Sequence, residues 1–391
     1  MRQPIALISC AEYESEQVDA AVRQGVRLLG GMERFVQPGQ RVLIKPNLLQ
    51  PSDPSRAIVT HPTVLRAVVR LVQEAGGEVL IADNPAVVPV TQRGWDSAYE
   101  KSGWAAVAAE TGARLNREII PQQRPHPEGR LIKRVDTSHF VTEADVVISV
   151  PKLKTHGLVR YTGAVKNLFG TVPGATKFGY HIKLQTTDRF AEMLLDLVSF
   201  VRPALTVMDA VVGMDGDGPS AGRPFPIGAI LASADAVALD VVALALVGHE
   251  PTTVPTVARA VQRGWTSGCV SDLEVRGETL GAFKIDGFQL PKGRRSTSGR
   301  WPAFLQQWGT RLLNANPVVG ERCVGCRLCI ENCPAHTIAL VGKKARIHLA
   351  DCIRCYCCHE LCPEHAIELQ QPALSPVLDL LLGVRRRLRA R

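Results

Sequence analysis

The feature that most constrains this chain is a cysteine pattern that occurs twice between residues 321 and 363. Each run has the spacing C-x2-C-x2-C-x3-C and is followed directly by proline. Three thiolates separated by two residues each let one tight loop hold three corners of an iron-sulfur cubane. In proteins with two clusters, the fourth thiolate ligates the other cluster. The spacing therefore predicts two [4Fe-4S] clusters, bound by a bacterial-type, ferredoxin-like α+β domain.

The repeated spacing also predicts which cysteines share a cluster. Zinc needs only four ligands per site and gives no reason for the C-x3-C-P step, so a zinc site or a disulfide framework fits poorly. Cys357 lies between two ligands of the second run and is interpreted as a thiol that binds no iron. The expected ligand sets are Cys323, Cys326, Cys329 and Cys362 for one cluster, and Cys352, Cys355, Cys358 and Cys333 for the other.

Length and composition indicate a soluble protein with one large core and a small appendage. The chain has 391 residues, of which 46% are hydrophobic, and no apolar run approaches the ~18 residues of a membrane span. The N-terminus lacks the features of a secretory signal. Nine of the eleven cysteines lie between residues 323 and 362, which favours clusters over disulfides. A cytoplasmic location is expected.

The net charge of +9 is confined to two segments. Residues 291–311 contribute +5 and residues 379–391 contribute +4, so the remainder of the chain balances to zero. Both segments flank the cysteine runs, and no nucleic-acid motif occurs elsewhere. We therefore expect no nucleic-acid partner. The basic segments favour a redox partner protein with an acidic surface, or contact of the C-terminal tail with a membrane surface.

The first part of the chain alternates apolar strand patterns with helical patterns. Such alternation predicts a layered, mostly parallel α/β sheet, in one or two lobes, with helices on both faces. Ligands gather at the carboxyl ends of strands in these sheets, and Lys45, Asn47 and Asp83 are placed there as substrate-binding candidates. The alternating elements fall at residues 4–9, 14–29, 41–47, 62–75 and 77–83.

Changes in composition divide the chain into four parts. They are an α/β domain (1–288), a basic linker with an amphipathic helix (289–320), the dicluster domain (321–370) and a basic amphipathic tail (371–391). Within the first part, the proline-rich polar stretch at residues 121–130 is interpreted as an exposed loop.

A second candidate site comes from lysines that recur after a buried strand pattern. Lys152, Lys154 and His156 are at positions i, i+2 and i+4 of an extended segment, so their side chains are expected to point the same way. Lys166 and Asn167 follow between glycines. Convergent lysines and amides suit a phosphate or carboxylate, and a lysine crowded by cations has a lowered pKa that suits proton transfer or imine chemistry. The alternative is that these lysines are solvated loop charges.

The segment KFGYHIK adds Lys177, His181 and Lys183 to this set. We expect Lys154, His156 and His181 to act in catalysis. Lys152, Lys166 and Asn167 are expected to bind the substrate anion.

The chain also resembles the DUF362 family of iron-sulfur proteins, many of which carry a C-terminal pair of ferredoxin motifs. The resemblance covers residues 5–250 and 321–363, and it implies that His61 joins the positions named above as a signature residue. A capping role at a helix start is the alternative for His61. A more remote similarity is to nickel-pincer lactate racemases, although the chain shows no clear equivalent of their full site. The motifs that carry the family resemblance are VLIKPN, THP, IADNP, VISVPKLKTHG, YTGAVKNLFGTVPG, MDAVVGMDGDGP and ASADAVALD.

Taken together, these patterns lead to one leading hypothesis and two alternatives. In the first, the dicluster domain passes electrons to a small anionic substrate or cofactor in the α/β domain, which makes the chain a ferredoxin-type oxidoreductase. In the second, the chain is a non-catalytic electron carrier or maturation factor whose lysines recognise a protein. The third is acid/base chemistry such as epimerisation, with clusters that serve structure or sensing.

Overall fold

The computed structural model describes residues 3–85, 91–184, 186–291 and 314–372. The predicted amphipathic linker helix and nearly all of the predicted tail lie outside these residues. Among the residues described, no helix is both long and apolar enough to cross a membrane.

The strands form one large sheet and three small two-stranded sheets. The strands are β1 (Ile5–Ser9), β2 (Arg41–Pro46), β3 (Glu78–Ile81), β4 (Arg114–Leu115), β5 (Pro121–Pro125), β6 (Arg134–Ser138), β7 (Val146–Val150), β8 (Lys152–His156), β9 (Arg160–Thr162), β10 (Leu205–Asp215), β11 (Arg223–Ser233), β12 (Val275–Gly277), β13 (Asn316–Val319), β14 (Ile338–Val341), β15 (Lys344–Ile347) and β16 (Ile367–Gln370).

The large sheet has the order β12-β1-β11-β10-β7-β2-β3-β4, and the β8-β9 pair joins it alongside β10. Strands β10, β7, β2, β3 and β4 run parallel, whereas β11 is antiparallel to both of its neighbours. The carboxyl ends of β2, β3 and β7 therefore meet at one edge. The fold class predicted from the sequence, a mostly parallel α/β sheet followed by a small dicluster domain, is confirmed.

Helices cover both faces of the large sheet because its strands are apolar on both sides. In β1, Ala6 and Ile8 join one core cluster with α1 and α2, while Ile5 and Leu7 join the other with α8 and α9. The helices are α1 (Ser15–Leu28), α2 (Pro62–Glu74), α3 (Gln92–Lys101), α4 (Trp104–Thr111), α5 (His139–Thr142), α6 (Ala164–Asn167), α7 (Gly174–Lys183), α8 (Thr187–Val201), α9 (Ala236–Leu246), α10 (Pro255–Gln262), α11 (Leu328–Glu331) and α12 (Cys357–Leu361).

Two local interpretations of the sequence differ from the structure. The stretch predicted as an exposed loop contains β5, which pairs antiparallel with β6 between Pro121 and Pro125. Its side chains are largely exposed, so it carries no apolar alternation from which a strand could be predicted. The predicted linker also contains β13, which pairs with β16, so the sheet of the dicluster domain begins at Asn316.

The dicluster domain packs directly on the α/β domain. Tyr356 and Leu369 belong to the same apolar cluster as α8 and α9. Ser220 donates a hydrogen bond to the Glu360 carbonyl at 2.9 Å, and His359 Nε2 lies 3.2 Å from the Asp217 carbonyl oxygen. These contacts place helix α12, which follows the second cysteine loop, against the edge where the parallel strands end.

Candidate functional site

The cysteines predicted as ligands line two small cavities in the dicluster domain. Each cavity is lined by four of them and draws on both cysteine runs, as the crossed ligation of a two-cluster protein requires. Thiolates are the ligands that iron-sulfur clusters select. The lining cysteines are Cys323, Cys326, Cys329 and Cys362 in one cavity, and Cys333, Cys352, Cys355 and Cys358 in the other.

Backbone N–H groups point at several of these sulfur atoms. The amide of Ala345 donates to Cys323 Sγ at 3.4 Å, and the amide of Ala366 donates to Cys362 Sγ at 3.2 Å. Hydrogen bonds of this kind help to set the reduction potential of a cluster. Burial raises the pKa of Cys329 to about 11, so this cysteine would be a neutral thiol without iron. The residues present therefore fit iron-sulfur clusters, which supply one-electron redox chemistry when bound.

A separate cleft of about 70 Å³ lies where helix α12 meets the carboxyl ends of the parallel strands. Its volume exceeds the share of one water molecule in the liquid, about 30 Å³, and suits a ligand of a few heavy atoms. The polar side chains around it are mostly amides and cations from the α/β domain. They are Asn47, Asp83, Asn84, Lys154, His156, Thr162, Lys166, Asn167, Lys177 and His181, together with Cys357 and Glu360 from the dicluster domain.

A buried ion pair lies at the base of this cleft. Lys45 Nζ is 2.9 Å from Asp83 Oδ1, and both side chains are almost fully buried. Burial lowers the pKa of Lys45, and the neighbouring Asp83 only partly opposes this. Asn167 accepts from Lys45 Nζ at 3.4 Å. A Cβ at Gly170 would collide with the Asp83 carboxylate, so glycine is needed for the chain to pass this pair. Lys45 thus holds Asp83 in place and does not itself line the cleft.

Three further lysines reach the cleft, and within the described residues none of them has a carboxylate at ion-pair distance. Lys154 donates a hydrogen bond to the Ile58 carbonyl at 2.8 Å, and Lys177 donates to the Asn84 carbonyl. Burial, together with the charge of Lys166, lowers the pKa of both lysines to about 7. Near neutral pH, each can therefore gain or lose a proton.

Lys166 projects into the same space from helix α6. Its Nζ lies 4.8 Å from the ring centroid of Phe169, a cation–π distance. Burial lowers the pKa of Lys166, although Glu360 opposes this. Helix α6 is held by Asp240, which accepts the amides of Ala164 at 2.7 Å and Val165 at 3.0 Å. The Asp240 carboxylate thus fixes the short helix that carries Lys166 into the cleft.

His156 faces an acidic residue of the other domain. Its Nε2 lies 3.3 Å from Glu360 Oε1, and its Nδ1 accepts the Leu158 amide at 3.1 Å. Because Nδ1 is an acceptor, the proton of the neutral ring is on Nε2. Burial, and next the charge of Lys166, lower the pKa of His156 well below its ordinary value. His181 also lines the cleft and stacks on Phe190 at 4.8 Å between ring centroids.

Three residues predicted to bind substrate, Lys45, Lys152 and His61, lie outside the cleft lining. Lys152 pairs with Asp209 at 2.9 Å, with both side chains fully buried, and its Nζ also contacts the Tyr13 hydroxyl. His61 stacks on Tyr13 at 3.6 Å and accepts the Thr63 amide at the start of α2. Lys152 and Lys154 do not share one environment because the pairing of β8 with β10 shifts register between them.

The cleft contains two residues of the dicluster domain that the sequence did not single out as functional. Glu360 is nearly buried and faces Lys166 and His156. Cys357, the cysteine interpreted as binding no iron, lines the cleft and lies near enough to Lys166 to influence its pKa. The sequence did mark Cys357, because it is a cysteine within a cluster-binding loop that occupies none of the ligand positions. Glu360 belongs to no recognisable sequence pattern.

The cysteine cavities and the α/β sheet together define the class, an iron-sulfur protein with a C-terminal dicluster domain. The 4Fe-4S dicluster domain model matches residues 318–363, which confirms two [4Fe-4S] clusters. The model described as "Domain of unknown function (DUF362)" matches residues 42–245. The chain therefore belongs to the DUF362 family, as its motifs indicated.

Two proteins show how far the similarity extends. The thylakoid-associated protein sll1697 of Synechocystis sp. is 36% identical over 295 residues, which cover 75% of this chain and 89% of that protein. The lactate racemase apoprotein from Thermoanaerobacterium thermosaccharolyticum aligns with a TM-score of 0.33 and 16% identity, over 59% of this chain and 54% of that chain. At that level of similarity, the racemase carries no argument about this chain.

Replacing Cys362 by serine is expected to remove the same cluster as replacing Cys326, although the two residues belong to different runs. Both side chains line one cavity, so iron should fall from about eight to about four atoms per chain in each variant. The electron paramagnetic resonance spectra of the two reduced variants should match each other. A Cys362→Ser spectrum that matches Cys355→Ser instead would contradict the crossed ligand sets.

Raising the pH through 7 is expected to weaken anion binding in the cleft. Lys154 and Lys177 have pKa values of about 7, so both are charged below that pH and neutral above it. Sulfate is a suitable probe because its charge is constant across this range. Its dissociation constant, measured by calorimetry, should rise roughly tenfold between pH 6 and 8.5, which corresponds to about 1.4 kcal/mol. The Lys154→Gln variant should show a flatter dependence; equal slopes would refute this assignment.

Proposed function

We propose that this chain is a redox enzyme that passes electrons from its two [4Fe-4S] clusters to a small anionic substrate or cofactor in the lysine-rich cleft. The observation that carries the proposal is the shared lining of that cleft. Lys154, Lys166 and Lys177 come from the α/β domain, while Cys357 and Glu360 belong to helix α12. Cys357 and Cys358 are neighbours in sequence, so a ligand in the cleft lies against the loop that binds the second cluster.

The charge of the cleft supports an anion as the ligand. Asp83 is neutralised by Lys45, which leaves Glu360 as the remaining acid against three lysines in the lining. Desolvating these cations is costly, and an anion with two or more oxygen atoms would offset that cost through charge-assisted hydrogen bonds. Under this proposal the three lysines grip the anion.

Proton supply is the second requirement for reduction of an organic anion. The pKa of Lys154 is about 7. General acid/base catalysis is most efficient when the pKa of the catalytic group is close to the working pH. His156 carries its ring proton on Nε2, which lies 3.3 Å from Glu360 Oε1, and His181 lines the same cleft. We assign proton transfer to Lys154, with His156 and His181 as the further candidates.

Acid/base chemistry without net electron transfer is the second candidate. It is favoured by one observation, namely that both Lys154 and Lys177 have a pKa of about 7. One lysine could then remove a proton from a bound acid while the other returns it, as an epimerase requires. In that case the clusters would serve structure or sensing.

The setting of the protein is also a proposal. The relative from Synechocystis is named for its association with thylakoids. For this chain we propose a cytoplasmic protein whose basic tail, residues 371–391, reaches a membrane surface or an acidic partner. The charge of that segment supports the proposal.

Replacing Lys166 by alanine is expected to abolish retention of the ligand. Mass spectrometry of protein purified without oxygen should find a small anion bound to the native chain and little or none in Lys166→Ala. Losing a charged hydrogen-bond partner costs about 1.5–3 kcal/mol, so affinity should fall at least tenfold. Lys284→Ala serves as the control because Lys284 is exposed and lies outside the cleft lining. Equal retention in both variants would rule out the cleft as the anion site.

Once the ligand is known, Cys358→Ala separates the two candidate functions. This variant loses a ligand of the second cluster beside the cleft. Electron delivery predicts that conversion of the ligand stops, whereas acid/base chemistry predicts that conversion continues.

A further inference from the structure

The two cluster-binding loops differ in how they meet solvent. In the first loop Cys326 is exposed. In the second loop, Cys355 and Cys358 are 8% and 9% exposed, and Tyr356 between them is 2% exposed. Much of the second loop is covered by the α/β domain, so among the described residues the first loop is the more accessible to a protein partner.

Exposed apolar side chains surround the first loop. Val324 is 65% exposed, Val341 55% and Leu340 36%, and these are three of the six large hydrophobic residues exposed within the described part of the chain. The loop and the β14-β15 hairpin form one surface, because a Cβ at Gly325 would lie against Leu340 Cδ1 and the Lys343 carbonyl oxygen. We call Val324, Cys326, Leu340, Val341 and Lys343 the first-cluster face.

Basic and acidic residues are also distributed unevenly between the two halves of the dicluster domain. Residues 321–346 carry five basic and two acidic residues, whereas residues 347–372 carry one basic and four acidic residues. Arg322, Arg327 and Lys343 are exposed around the first loop. Glu364 is an acidic exception that lines the first cavity. An apolar centre within a basic surrounding is complementary to an acidic protein that has an apolar patch of its own.

We propose that the first-cluster face is the docking surface for an acidic one-electron carrier protein, such as a flavodoxin or a small acidic ferredoxin. The inference rests on the proposed redox function and gives it a direction: electrons arrive at the first loop and leave from the second loop toward the cleft. In each docking event the carrier is oxidised by one electron and this chain is reduced by one. No bond forms or breaks, and no proton moves.

Reduction by a reduced flavodoxin tests the docking surface directly, since the flavin absorbance reports the oxidation of the carrier. Under single-turnover conditions in a stopped-flow instrument, Val324→Asp and Lys343→Glu should each lower the second-order rate constant at least tenfold at low ionic strength. The rate for the native chain should fall as salt increases, because the attraction is electrostatic. The salt dependence should be weaker in Lys343→Glu.

Two matched controls keep this test specific. Ile120→Asp introduces a charge at another exposed apolar residue, and Lys284→Glu reverses a charge on the α/β domain; both should react at the native rate. Dithionite, a small reductant, should reduce all four variants equally, and iron content should be native. Unchanged rates in both face variants overturn the proposal, as does an equal loss in the controls. Self-association of the native chain that Val324→Asp abolishes would show that a second copy occupies the face instead, which also overturns it.

This result is independent of the cleft. Lys166→Ala, which is expected to lose the anion, should still accept the first electron from flavodoxin at the native rate. Failure of the cleft proposal would therefore leave the docking rates unchanged, and failure of the docking proposal would leave ligand retention unchanged.

Discussion

The structure depends above all on the burial of several lysines at one edge of a parallel sheet. Removing an ammonium group from water is costly unless a partner compensates it. The chain provides partners for its buried lysines in two ways. Lys45 and Lys152 each have a carboxylate, Asp83 and Asp209, at 2.9 Å. Lys154 and Lys177 have backbone carbonyl partners instead, and burial lowers the pKa of each to about 7. The first kind of lysine is structural, and the second remains available to a ligand.

The sequence predicted more about the clusters than about the cleft, for a physical reason. Thiolate ligands of one cluster lie within a short loop, so their spacing records the geometry directly. The cleft is assembled from β2, β3, β8, α6, α7 and α12, whose approach is set by tertiary packing. Strand periodicity placed Lys154 and His156 correctly in an extended segment. It could not reveal that β8 shifts register against β10, which separates Lys152 from them.

The contribution of Glu360 from the dicluster domain could not be predicted from the sequence. Glu360 has no motif, and it reaches the cleft because α12 packs against the α/β domain, where Ser220 and Asp217 contact it. Strand β5 was missed for a related reason, since its pairing with β6 is made by the backbone and its side chains carry no apolar alternation. In both cases the deciding contacts are non-local.

The attachment of the dicluster domain therefore does more than raise the local concentration of an electron donor. Helix α12 follows directly from the second cysteine loop and supplies one wall of the cleft. That loop contains residues with positive φ, Arg354 and Tyr356, a conformation that costs free energy for non-glycine residues. Binding of iron by Cys355 and Cys358 would offset this cost, because the free energy of metal binding contributes to the free energy of folding. One short segment of the chain therefore carries both a ligand of the second cluster, Cys358, and two residues of the cleft wall, Cys357 and Glu360.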